Sequence, residues 1–143
     1  MADLDPLIRV RKHTVEQKQK FLADLYRQAE QLAAQKKSMQ DEMAAERMKI
    51  QTENSIDMMT YYNNYVKAMN NKIAGVDEAM KKLDGRIEVA REAMREAFAD
   101  LKKIEITQER REAEEEAALE KKESDLMDDI AIETFRRKMD EQA

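Results

Sequence analysis

Few residues in this chain have types and spacing suited to chemistry. There is one histidine, His13, and no cysteine. A zinc site needs several His, Cys or carboxylate ligands brought close together, and His13 stands between Lys12 and Thr14 without such company. Acid–base catalysis needs a carboxylate whose pKa is shifted inside an enclosed pocket. The many glutamates here are instead interspersed with lysine and arginine, the pattern of a solvated helix surface. The only glycines are Gly75 and Gly85, too far apart to form a phosphate-cradling loop. The sequence therefore predicts no enzymatic activity, no metal and no cofactor. The remaining chemistry is docking. Tyr61, Tyr62 and Tyr65 place three of the four tyrosines within five residues, and such side chains are good binding anchors.

The elements that must position these groups are long helices. Charged residues make up 40% of the 143-residue chain and aromatics 5%, with one proline. This leaves too few large apolar residues for a globular core and favours helices with heptad periodicity. The net charge of −5 argues against broad nucleic-acid binding. No secretory signal or membrane-spanning run is expected. The clearest pattern runs from Tyr62 to Ile104: Tyr62, Val66, Met69, Ile73, Val76, Met80, Leu83, Ile87, Ala90, Met94, Ala97, Leu101 and Ile104 recur at alternating steps of four and three. An apolar repeat of 3.5 residues held this long is a coiled-coil seam and requires a partner helix.

A second seam supplies that partner. It runs through Ile8, Arg11, Val15, Lys18, Leu22, Leu25, Ala29, Leu32, Lys36, Met39, Met43, Glu46 and Ile50. Four of its positions are charged, and long charged side chains can lay their stems over a seam while their heads stay wet. The two seams have equal length and mirror each other about residue 56. Folding the chain there sets Ile8 by Ile104, Leu22 by Ala90, Leu25 by Ile87 and Ala29 by Leu83. The expected fold is all-α, a long antiparallel two-helix coiled coil or helical hairpin with the second helix longer than the first. The alternative is one continuous helix dimerising with another chain. The expected elements are helix one over about 6–52, a tip over about 53–58 and helix two over about 59–139.

Local signals fit this division. Asp5 is a good N-cap, and Pro6 after it loses only an amide without an intrahelical partner. Asn54 or Ser55 is placed to cap the second helix, with Asp57 in its first turn. Asp77 with Lys81, and Glu78 with Lys82, are expected i,i+4 ion pairs. Gly75 and Gly85 lie off the seam and read as tolerated surface glycines. Tyr62 and Val66 face the seam, whereas Tyr61 and Tyr65 are expected to point outward.

Beyond Ile104 the character changes. Residues 105–143 carry fourteen acidic and seven basic side chains, while residues 1–104 carry a net charge of +2. The first helix has nothing left to pair with this segment, so helix two should continue unpaired from about residue 105. At 1.5 Å per residue that extension spans about 50 Å. Near its end Leu126, Met127, Ile130, Ala131, Phe135 and Met139 form an apolar cluster, expected on one side of the helix as a docking face for another protein.

Three stretches together resemble the FliJ family, the small coiled-coil component of the bacterial flagellar type III export apparatus. They are Leu4-Asp5-Pro6-Leu7-Ile8-Arg9-Val10-Arg11-Lys12-His13, then Tyr61-Tyr62-Asn63-Asn64-Tyr65-Val66, and the tail from Arg110-Arg111-Glu112 through Glu123 to Leu126-Met127-Asp128-Asp129-Ile130-Ala131. The resemblance implies a non-enzymatic hairpin similar to the central stalk of rotary ATPases. It implies three kinds of partner: the flagellar export ATPase ring, whose assembly such proteins promote, the membrane-embedded export gate, and free export chaperones. The gate-contacting face falls on Tyr65, Met69, Lys72 and Val76. Contact with the ATPase, or with another protein, falls on Arg11, Val15, Arg110, Arg111, Leu119, Leu126, Met127, Ile130 and Phe135. The implied location is the cytoplasm, peripherally associated with the inner membrane through the export apparatus. Two other functions fit a charged helical chain: a structural scaffold that homodimerises through the first seam, and a membrane-remodelling hairpin, for which the basic amphipathic stretch at the N-terminus is short.

Overall fold

The computed structural model describes residues 3–52 and 55–142. Two helices account for nearly all of them: α1 (Asp5–Thr52) and α2 (Ile56–Glu141), of 48 and 86 residues. Among the described residues there is no strand. The fold is the all-α, antiparallel two-helix hairpin with the longer second helix. Every position of the later seam is buried or half-buried, and so is every position of the first seam except Lys18. The charged seam residues Arg11, Lys36 and Glu46 are half-buried.

The helix ends differ from the sequence reading at α1 and refine it at α2. α1 starts one residue early. The Leu4 carbonyl accepts from the Ile8 amide at 2.9 Å, and the capping oxygen is Oδ1 of Asp3, which accepts from the Asp5 amide at 3.0 Å. Asp5 is thus a first-turn residue. Its acidic side chain still suits the positive end of the helix. At α2 the cap is Ser55. Its Oγ accepts from the Met58 amide at 3.1 Å and its carbonyl from Met59 at 3.1 Å. Of the expected tip, Glu53 and Asn54 lie outside the described residues, and Ile56–Met58 are already helical.

The chain divides into two compact units. One, Lys12–Phe98, contains most of the seam. Its core is Leu22, Leu25, Leu83, Ile87 and Ala90, with Ala29, Leu32 and Met94 packed against them. Leu25 is 1% exposed. These are the residues that mirroring about position 56 brings together, with large Leu22 beside small Ala90 and large Leu83 near small Ala29. Two polar links cross between the helices beside this core. Lys36 Nζ meets Asp77 Oδ1 at 2.7 Å, and Arg91 Nε donates to the Tyr26 hydroxyl at 2.7 Å. The Arg91 guanidinium also lies 5.6 Å from the Tyr26 ring centre, within cation–π range.

The expected pairing of Asp77 with Lys81 is therefore replaced by the cross-helix pair with Lys36. A seam lysine with its stem half-buried has few places to put its charge, and Asp77 offers the nearest one. Among the described residues neither Lys81 nor Lys82 forms an ion pair, so the pair of Glu78 with Lys82 is also absent.

The other unit comprises Met1–Arg11 with Ala99–Ala143. Within it Leu101 is buried, and Ile8, Arg11, Ile104, Glu105 and Gln108 are half-buried. From residue 109 to 142 every residue is exposed. This stretch is held by its own backbone and by local side-chain bonds, such as Gln108 to Glu112 at 3.0 Å and Arg137 to Glu133 at 3.3 Å.

Candidate protein-docking surfaces

The aromatic start of α2 is shaped by the heptad. Tyr62 and Val66 occupy seam positions and are half-buried, as their spacing requires. Tyr61 is 58% exposed. Tyr65 departs from expectation: it is half-buried rather than outward-pointing. It follows Tyr62 by three residues and precedes Met69 by four, so it flanks the seam, and its long side chain reaches inward. Its ring stacks on Tyr61 with centres 6.4 Å apart and planes 16° apart. Its hydroxyl is enclosed without a hydrogen-bond partner. Burial, and then the nearby carboxylates of Glu42 and Glu46, push the phenol above its ordinary pKa of 10.0.

The four residues assigned by resemblance to the export gate do not form one exposed face. Met69 and Val76 are 5% and 8% exposed and hold the seam. Tyr65 is half-buried, and Lys72 is exposed. Val15, from the set assigned to the ATPase or another protein, is likewise buried in the seam, and Arg11 is half-buried with its Nε enclosed and unbonded.

The α2 tail is different. Arg110 and Arg111 are exposed, and so are Leu119, Leu126, Met127, Ile130 and Phe135, each more than half. The apolar cluster does not share one side, however. At about 100° per residue, Leu119, Leu126 and Ile130 fall on one stripe with Met127 at its edge, while Phe135 and Met139 turn to the opposite side. Ile132, also exposed, joins that second stripe. The α-helical continuity of α2 to Glu141 therefore makes two apolar stripes where the sequence reading expects one. Applying the helical period beyond the seam would have separated them and found Ile132.

No helix among the described residues is long and apolar enough to cross a membrane. The exposed apolar helix faces include Tyr61 near the tip and the tail from Leu119 to Met139. The chain matches the family model of the flagellar FliJ protein over residues 1–140. It belongs to the FliJ family. A FliJ-family chain is a component of the flagellar protein export apparatus and serves it without a catalytic role. No curated protein and no solved structure matches the chain.

Proposed function

We propose that this chain is a stalk-like adaptor that binds the flagellar export ATPase ring, promotes its assembly, links it to the export gate and escorts export chaperones. The observation that carries this reading is the continuous helix from residue 109 to 141, exposed throughout and bearing large apolar side chains on both of its sides. A helix that gains nothing from internal packing draws its use from outside contacts. Arg110, Arg111 and the stripe of Leu119, Leu126, Met127 and Ile130 engage the ATPase, with Phe135 contributing from the opposite stripe. Arg11 lies in the same compact unit and adds to that contact, while Val15 supports it from within the seam. The gate contact uses Lys72 and the accessible part of Tyr65, with Met69 and Val76 positioning them from the core. The protein works in the cytoplasm, held at the inner membrane by the apparatus.

The test is the rate of the export ATPase with the full chain and with a chain ended after Glu112. The full chain stimulates hydrolysis and the shortened one does not, although its hairpin unfolds at the same temperature. Equal stimulation by both would exclude the tail as the ATPase contact.

A further inference from the structure

The hairpin carries a second apolar surface that the seam does not use. Within the Lys12–Phe98 unit, Phe21 and Val89 stand 49% and 71% exposed and wall a groove of 470 Å³. Its floor includes Gly85 and Ala90. A Cβ placed on Gly85 would meet nothing within 4 Å, and no glycine has a positive φ. Glycine weakens a helix interior and here gains nothing in packing or conformation; it leaves room. The groove is rimmed by Lys18, Lys82 and Arg86. Among the described residues none of these three cations forms an ion pair.

An apolar groove edged by unpaired cations is complementary to an amphipathic helix whose apolar stripe is edged by carboxylates. The chain contains such a helix. Leu119 and Leu126 lie seven residues apart on one stripe of α2 and are 57% and 60% exposed. Glu115, Glu116 and Glu123 lie three or four residues from these leucines, on the same face. Among the described residues these glutamates too form no ion pair. Three unpaired anions thus match three unpaired cations, and apolar side chains on each surface remain uncovered.

We propose that the Leu119–Leu126 stripe of a second copy docks in the Phe21–Val89 groove, its glutamates meeting Lys18, Lys82 and Arg86, so that the protein self-associates through groove and tail rather than through the seam. This does not rest on the export reading, because it concerns the isolated protein.

Sedimentation equilibrium of the full chain over a range of concentrations tests it. The weight-average mass rises with concentration, and added salt weakens the association because the charges at the rim are screened. Reversing the groove charges with K82E/R86E, or the tail charges with E116K/E123K, weakens association by about tenfold or more. An equimolar mixture of the two variants associates again, since each then offers the other a matched surface. Gly85→Leu fills the groove and abolishes association while the helices melt no lower than in the parent. A chain that stays monomeric to millimolar concentration, or one whose association survives any of these three variants undiminished, would overturn the proposal.

Discussion

Tyr65 shows how a single side chain is set by its place in the heptad. Its position beside the seam draws the ring inward, and the enclosed hydroxyl lies near the carboxylates of Glu42 and Glu46 without reaching hydrogen-bond geometry. Folding raises its pKa, chiefly through burial and then through Glu42 and Glu46. The folded state therefore holds this proton more tightly than the unfolded chain does. Stability from this group is complete below the unfolded value near 10 and is lost as pH rises through the higher folded value. Tyr65→Phe removes both the unbonded hydroxyl and the titration. Thermal melts should show this variant at least as stable as the parent at neutral pH, with a flatter decline above pH 10; an unchanged alkaline decline would contradict this account. Lys36 poses a related question in the seam. Its pair with Asp77 is half-exposed and contributes at most about 1 kcal/mol, while a leucine would bury apolar area and leave Asp77 in reach of water. Lys36→Leu should raise the unfolding free energy by about 1 kcal/mol, measured by urea titration. Neither residue's partner was legible in the sequence. Both partners lie across the hairpin, and which side chains meet there follows only once the register is known.

At the scale of the element, the two helices are set by seam and caps. The seam was legible because it demands one thing of every position, burial against a neighbour, and the mirrored spacing of the two repeats located that neighbour in the same chain. The caps were half legible. Ser55 was one of two candidates, and its hydroxyl holds the Met58 amide. At α1 Asp5 looked right by type, but Asp3 reaches two residues forward to do the work; both are aspartates, and spacing alone did not separate them. Ser55→Ala should lower the unfolding free energy by about 1 kcal/mol. Gly75→Ala should raise it by up to about 1 kcal/mol, because a Cβ there meets nothing within 4 Å. Opposite signs for these two changes in the same urea titration would support the reading that α2 is limited by its start and its interior glycines. The candidate docking surfaces were less legible. Apolar residues off the seam, such as Phe21 and Val89, look like scattered decoration until a groove joins them, and the tail cluster is close in sequence but divided by helical angle into two stripes.

At the scale of the whole molecule, the two helices bury their heptad residues in one seam, and the acidic part of α2 faces water from residue 109 onward. In the function proposed above, the seam supplies stability and the exposed helix supplies recognition. The same stripe that the ATPase would cover is the one proposed to dock on a second copy, so the two associations compete and the export ATPase should dissociate self-associated chains. The measurement that tests the central claim most directly is backbone hydrogen exchange of the full chain with and without the flagellar export ATPase. Alone and dilute enough to be monomeric, the chain exchanges amides of residues 109–142 fast and those around Leu25 and Leu83 slowly. With the ATPase, protection should appear over Leu119–Ile130 and leave the Leu25–Leu83 core unchanged. Binding that protects only other segments, or none, would contradict the claim that the uncovered tail is where this protein works.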